Sequence, residues 1–218
     1  MDSGGILIDF SGQSAHRPLV VIVAVRGEGE AIIDHFDLTA HKPAQGLTLF
    51  GNQQLLLGIS GKGPRAASDF CSRVARWLSD SGRESPVAWV NFGSAGSSSH
   101  VPGTLVQAKR IGSDEICRAL ELCGPDLAGI PGVFVQTSAE PVSEYLPGRV
   151  HDMEALGFVQ GIRAVTAVSR LCILKVITDG PEQPLRSINR AQLQSMLDAS
   201  AAELIGVLES LFTDRGAI

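Results

Sequence analysis

The chain has 218 residues, of which 44% are hydrophobic and 19% charged, a balance that favours one large buried core and excludes a disordered chain. Its 18 Lys and Arg residues against 23 Asp and Glu residues give a net charge of −5, which argues against a nucleic-acid partner held by a basic surface. The 4 cysteines form no C-x-x-C pair, so we expect neither a metal site nor a disulfide framework. No apolar run approaches the roughly 20 residues of a membrane span, and we expect a cytoplasmic protein without membrane contact.

The first predicted strand, at residues 19–25, is a continuous run of aliphatic side chains, which is typical of a strand buried on both faces in a parallel sheet. An acidic loop from Arg26 to Glu30 is predicted after it, followed by a helix. We assign residues 1–18 to an N-terminal extension and residues 19–218 to a single domain.

The later elements repeat this alternation. In chain order, they are strands at residues 47–50 and 54–59, a helix at 64–82, strands at 87–92, 105–111 and 133–136, a helix at 152–163, a strand at 171–177 and a closing helix at 189–212. Residues 113–131 are predicted to form a loop with a short helix, and residues 138–150 a loop. Strands that alternate with helices predict an α/β domain of mainly parallel character.

Polar or glycine-rich segments follow the predicted strands at the points where the strands end. These segments contain Glu28, residues 60–63, residues 93–96 and Asp179, and residues 152–154 begin a predicted helix. Because ligands of α/β sheets bind outside the carboxyl ends of parallel strands, we expect these segments to meet at one cleft.

A dinucleotide site is the first alternative, since Gly61 to Ala66 fits the pattern G-x-G-x-x-A between a strand and a helix. That pattern requires an acidic residue at the end of the next strand, about 20 residues further on. Asp80 instead falls in the predicted helix, well before the next strand. The spacing therefore disfavours a dinucleotide.

Five segments in a fixed order resemble the nucleoside phosphorylase and nucleosidase superfamily, and most closely the methylthioadenosine/S-adenosylhomocysteine nucleosidases. The segments are residues 24–30, Ser60-Gly61-Lys62-Gly63, Asn91-Phe92-Gly93-Ser94-Ala95-Gly96, Asp152-Met153-Glu154-Ala155 and Ile177-Thr178-Asp179. The resemblance spans residues 19–212. It implies a three-layer α/β/α fold with a mixed, mainly parallel central sheet, no metal or organic cofactor, and a homodimer or larger homo-oligomer.

The same resemblance implies hydrolysis of the N-glycosidic bond of a purine-type nucleoside. Asp179 would protonate the purine N7, and Glu28 would orient and deprotonate water, with Glu30 as the alternative base. Glu154 would bind the ribose hydroxyls, with Met153 against the sugar. The other substrate-binding residues that the resemblance implies are Ser60, Gly61, Ser94, Ala95, Gly96 and Thr178.

Two other functions stay open. A phosphorylase would use phosphate in place of water, and Arg26 or Arg65 could reach such an anion. Glu28 beside a phosphate would cost on the order of 1 to 4 kcal/mol at a separation of about 4 Å, so water is the favoured nucleophile. A nucleoside-binding protein without catalysis is the third possibility.

The aromatic residue that stacks on the base in nucleosidases is not at its usual place, and Phe134 or Tyr145 could substitute for it.

Overall fold

The computed structural model describes residues 18–41, 46–80, 88–113, 119–122, 124–167 and 170–213. The predicted N-terminal extension, apart from its last residue, lies outside the described residues, as do Cys117 and Cys123. The strands are β1 (Leu19–Val23), β2 (Thr39–His41), β3 (Leu49–Gly51), β4 (Leu55–Ile59), β5 (Ala88–Ser97), β6 (Leu105–Gly112), β7 (Leu120–Glu121), β8 (Gly132–Thr137), β9 (Val150–Asp152) and β10 (Leu171–Asp179). The helices are α1 (Arg26–His35), α2 (Pro64–Asp80), α3 (Ala155–Arg163), α4 (Arg190–Ala199) and α5 (Ala201–Thr213), with a short 3₁₀ helix at Leu185–Ser187.

All ten described strands belong to one mixed sheet. Strand β1 runs parallel to β4 and to β5, and β5 runs parallel to β10. The carboxyl ends of these four strands therefore meet at one edge of the sheet. Strands β5, β10, β6, β8 and β9 pair in a closed circuit, because β9 returns to pair with the end of β5.

The side chains of β1 explain why helices cover both faces of the sheet. Leu19, Val21 and Val23 pack in the core beneath α1, α4 and α5. Val20 and Ile22 point to the opposite core, beneath α2 and α3. Successive strand residues alternate between faces, so an aliphatic run places apolar surface on both sides. The three-layer α/β/α fold is confirmed. No described helix is long and apolar enough to span a membrane.

Two predicted loops are regular structure. Residues 26–30 form the first half of α1, and residues 93–97 continue β5 instead of leaving the sheet. Glycine and serine favour turns in isolation, which is why these segments were predicted to be loops. Pairing with β10 on one side and β9 on the other keeps residues 93–97 in the sheet.

The predicted helix at residues 189–212 is also wrong in detail, because it is two helices, α4 and α5, that meet at Ser200. The Ser200 hydroxyl donates to the carbonyl of Leu197 at 3.0 Å, a contact that competes with the helical hydrogen bonds. The helix predicted from residue 152 begins at Ala155, after a short strand, β9, that the sequence analysis missed. Within residues 119–122 and 124–131, the structure contains β7 and no helix.

Helices α2 and α3 pack at close range because α3 carries glycine on the face that meets α2. A Cβ atom on Gly157 would overlap the carbonyl of Pro64, and one on Gly161 would overlap the carbonyl of Ser68. Both overlaps involve backbone atoms, which cannot turn away as a side chain can. This contact fixes the start of α3, and with it Glu154, relative to the Ser60–Gly63 turn.

We expect Gly161→Ala to lower the free energy of unfolding by roughly 1–3 kcal/mol, since the new methyl group forces α2 and α3 apart. Gly206→Ala in α5 is the matched control, because a Cβ there meets nothing within 4 Å. The control should leave stability unchanged or raise it by about 1 kcal/mol. Urea unfolding measures both, and equal midpoints for the two variants would contradict the described helix contact.

Candidate active site

A cavity opens at the sheet edge where β1, β5 and β10 end, beside the start of α3. Among the residues singled out from the sequence, those on its walls are Glu28, Ser94, Ala95, Gly96, Met153, Glu154 and Asp179. Ser60, Gly61 and Thr178 do not line the cavity. Thr178 and Gly61 instead form hydrogen bonds with wall residues, Thr178 through its hydroxyl to Asp179 and Gly61 through its N–H to the carbonyl of Ala24.

Glu28 lies in the first turn of α1 with 6% of its surface exposed. Its Oε2 atom accepts hydrogen bonds from the backbone N–H groups of Ala24 at 3.0 Å and Val25 at 3.2 Å. Its Oε1 atom accepts from the backbone N–H of Ser94 at 3.0 Å and from the Ser94 hydroxyl at 3.2 Å. Four donors therefore hold this carboxylate between the end of β1 and the end of β5.

Glu154 is the N-cap residue of α3 and is 7% exposed. Its Oε1 atom accepts from the backbone N–H of Gly63 at 2.9 Å. Gly61 and Gly63 have φ values of +85° and +94°, which L side chains rarely adopt, and these turns aim the Gly63 N–H at Glu154. The Ser60 hydroxyl donates to the Gly61 carbonyl at 2.8 Å and so supports the same turn.

Asp152, which lines the cavity, forms an ion pair with Lys175 in which both side chains are buried. Lys175 Nζ lies 2.8 Å from Asp152 Oδ2, and neither side chain is exposed. The same Asp152 oxygen accepts from the backbone N–H of Ala155 at 2.7 Å, and Oδ1 accepts from the Thr137 hydroxyl at 2.6 Å. One carboxylate thus joins β8, β9, β10 and the start of α3.

The electrostatics of this cluster follow from burial and from an excess of carboxylates. Burial opposes the charge on Lys175, but Asp152, Glu154 and Glu28 together outweigh it and hold the pKa of the ammonium group above its ordinary value. Burial also raises the pKa of Glu154, although Lys175 and the Gly63 N–H act in the opposite direction. Lys175 is therefore a permanent cation that faces three acidic groups.

Asp179 is the last residue of β10 and is 7% exposed. The pairing of β10 with β5 shifts register between Ile177 and Asp179, which leaves Thr178 as the extra residue of a bulge. The Thr178 hydroxyl donates to Asp179 Oδ1 at 2.8 Å, and the Tyr145 hydroxyl donates to Oδ2 at 2.6 Å. A Cβ atom on Gly96 would lie 2.5 Å from Oδ2, so only glycine permits this approach.

The sequence motifs give no role to Lys175 or Asp152 and do not predict the contact of Tyr145 with Asp179. Lys175 carried a usable signal, since a lysine inside a strand of buried aliphatic residues must have a buried partner. Tyr145 was considered for stacking on a base, but its ring is 9% exposed and its hydroxyl binds Asp179. Phe134, the other candidate, lies under the guanidinium groups of Arg110 and Arg149 and does not line the cavity.

The other charged residues near the predicted cleft differ in whether they line the cavity. Arg26 forms an exposed ion pair with Glu30 at 3.4 Å, and neither residue lines the cavity. Arg65 is also absent from the walls, whereas Lys62 and Glu140 lie on them. Within the described part of the chain, no group of three or more His, Cys, Asp or Glu side chains is arranged to hold a metal ion.

Solved structures of nucleosidases share this fold. A 5′-methylthioadenosine/S-adenosylhomocysteine nucleosidase from Colwellia psychrerythraea 34H, in complex with adenine, superimposes with a TM-score of 0.72 and 16% identity over 90% of this chain and 96% of that one. The Helicobacter pylori nucleosidase of the same name, with butyl-thio-DADMe-Immucillin-A, has a TM-score of 0.71 and 13% identity over 90% and 100% of the two chains. Helicobacter pylori futalosine hydrolase has a TM-score of 0.68 and 14% identity over 91% and 97%.

No protein-family model matches the sequence, and no curated protein matches it either. At identities of 13% to 16%, the likeness to solved structures shows the fold.

We expect Lys175→Met to lower the free energy of unfolding by roughly 3–5 kcal/mol, because it leaves buried carboxylates without their cation. Without Lys175 the pKa of Glu154 rises further above its unfolded value, so the folded variant binds an extra proton and loses stability as the pH rises through that pKa. The deficit should therefore be larger at about pH 8 than at about pH 5.

The matched control for this prediction is Lys109→Met. Lys109 also lies on a strand and contacts an aspartate, but Asp126 is 97% exposed, so this pair is screened by water and its loss should change stability little. Chemical unfolding at the two pH values measures both variants. Equal, pH-independent losses would contradict the electrostatic role of Lys175.

Proposed function

We propose that the protein hydrolyses the N-glycosidic bond of a purine-type nucleoside and releases the free base. One observation carries this proposal: Glu28, Glu154 and Asp179, far apart in the sequence, line a single cavity and are each less than a tenth exposed. Burying a carboxylate costs free energy unless hydrogen bonds or a nearby opposite charge compensate it, so three buried carboxylates at one cavity point to a functional site. The chain shares its fold with nucleosidases, which supports nucleoside hydrolysis as the reaction at these three carboxylates.

The reaction makes three demands on an enzyme. As the bond breaks, the base gains negative charge and the sugar gains positive charge, while water must lose a proton to attack the sugar. Asp179 would give its proton to N7 of the purine. Glu28 would take the proton from water, and solvent would return Glu28 and Asp179 to their starting protonation states.

Glu154 is suited to hold the sugar. The Gly63 N–H contacts only its Oε1 atom among the described contacts, so Oε2 can accept hydrogen bonds from ribose hydroxyls. Its negative charge would also stabilise the cationic sugar, and Met153 lies beside it on the cavity wall. Burial raises the pKa of Glu154 on balance, and Lys175 acts against that rise and so favours the ionised form that this role needs.

Glu28 suits the role of base better than Glu30, which is engaged with Arg26 at the surface. Three of the four donors to Glu28 are backbone N–H groups with fixed directions. The fourth, the Ser94 hydroxyl, can rotate away and leave a position on Oε1 for water. Ser94 would then donate to the same water and orient it.

Water is favoured over phosphate as the nucleophile because carboxylates dominate the walls of the cavity. Arg26 and Arg65, the cations considered for phosphate, do not line it. A phosphate dianion next to Glu28 and Glu154 would meet like charges at short range. Lys62, a cation on the wall, is the observation that keeps a phosphorylase as the second candidate.

The base is proposed to be a purine because an acid at Asp179 needs a ring nitrogen that accepts a proton as the bond breaks, and N7 of a purine is such an atom. The related structures were solved with adenine and with nucleoside analogues, which supports the same class of ligand. The 5′ substituent is left open.

The proposal is tested by incubating the protein with adenosine, inosine, guanosine and methylthioadenosine, with and without phosphate, and quantifying free base by chromatography. We expect base release without phosphate. Glu28→Gln, Glu154→Gln and Asp179→Asn should each lower turnover by about 10²- to 10⁴-fold, the usual cost of lost acid–base or charge stabilisation.

Glu30→Gln is the matched control, because Glu30 is a solvent-facing carboxylate only two residues from Glu28. Turnover of this variant should stay within a few-fold of the parent. Strict dependence on phosphate would support the phosphorylase. Thermal stabilisation by a nucleoside with no base released would support a binding protein. Retention of turnover in all three variants would refute the assigned roles.

A further inference from the structure

We propose that Tyr145 is a positioning residue for Asp179, and that its hydroxyl stabilises the carboxylate that forms when Asp179 gives up its proton to the leaving base. The inference rests on the proposed function and adds a residue that the family resemblance did not supply. Tyr145 lies in the segment between β8 and β9, 34 residues before Asp179.

The contact is made beside the cavity wall. Tyr145 donates to Oδ2 of Asp179 at 2.6 Å. Oδ2 is also the atom that a Cβ on Gly96 would meet at 2.5 Å, and both Gly96 and Asp179 line the cavity. The hydroxyl therefore holds the carboxyl group in one orientation at the wall where a substrate would lie.

Tyr145 is itself held in place. Its ring packs edge-on against His151, with centroids 6.1 Å apart, and His151 Nε2 accepts from the backbone N–H of Leu146 at 3.1 Å. A side chain fixed in this way can hold its partner in one orientation.

The protonation state of Tyr145 fits the role of donor. Burial, and then the hydrogen bond and charge of Asp179, raise the pKa of Tyr145 to about 12, so the phenol keeps its proton at neutral pH. Thr178 donates to the other oxygen, Oδ1. Hydrogen bonds to an ionised acceptor are about twice as strong as those to a neutral one, so both contacts strengthen as the proton leaves Asp179.

The kinetic test is Tyr145→Phe, which removes the hydroxyl and keeps the ring. We expect kcat to fall roughly 10- to 100-fold, the range for a lost hydrogen bond to a charged group, with little change in KM. A purely structural role would not confine the loss to kcat, because a disordered cavity wall would raise KM as well.

Ser98→Ala is the matched control, since the Ser98 hydroxyl donates to the carbonyl of Leu146 in the same segment without touching Asp179. It should leave kcat and KM unchanged. A second measurement needs no activity: the chain has 1 tyrosine, so carbon-13 at its Cζ atom gives a single NMR signal. That signal should move in folded Asp179→Asn at neutral pH and stay in place in Ser98→Ala.

The outcomes separate the two proposals. An unmoved Cζ signal in Asp179→Asn, or a Tyr145→Phe enzyme with parental kcat, would overturn the role of Tyr145 while hydrolysis stands. Absence of base release from the parent protein would overturn the proposed function and, with it, the role of Tyr145 in base departure. The expected signal shift together with a fall in kcat at unchanged KM would support both.

Discussion

A single buried ammonium group organises the acidic side of the cavity. The side chain of Lys175, on β10, has no exposed surface, and its Nζ atom lies 2.8 Å from Asp152 Oδ2. Removing two charges from water costs several kcal/mol per ion, and additional hydrogen bonds must compensate that cost. Asp152 supplies them by also accepting from Thr137 and from the first N–H groups of α3. The ion pair therefore sets where α3 begins, and so where Glu154 faces the cavity.

Much of the framework could be predicted from the sequence because its signals are local. The aliphatic run of β1 indicated a strand buried on two faces, and the structure has that strand at Leu19–Val23. Glu28 and Asp179 lie where predicted parallel strands end, and parallel strands bring those ends to one edge. Their meeting in one cavity follows from topology, whereas Glu154 reaches that cavity through the antiparallel pairing of β9 with β5, which the sequence does not indicate.

The remaining features depend on contacts between distant segments. Glycine at position 96 was assigned to a loop from its local preference, whereas in the structure it stays in β5 and allows Tyr145 and Asp179 to approach each other. The partner of Tyr145 lies 34 residues away, and no spacing rule connects the two. The apolar pattern around Lys175 predicts a buried strand but does not predict the partner of its charge. That partner, Asp152, lies on a different strand.

The closed circuit of strands also affects how the protein is made. Strand β10 is the last of the described strands, and its pairing with β5 and β6 completes the circuit. It also carries Lys175 and Asp179, so neither the circuit nor the cavity exists until this strand docks. Ribosomal synthesis proceeds from the N-terminus, so the cavity can assemble only after the polypeptide has emerged as far as residue 179. Strand pairings over such sequence distances also favour slow folding, during which the unpaired edges of β5 and β6 stay open to wrong partners.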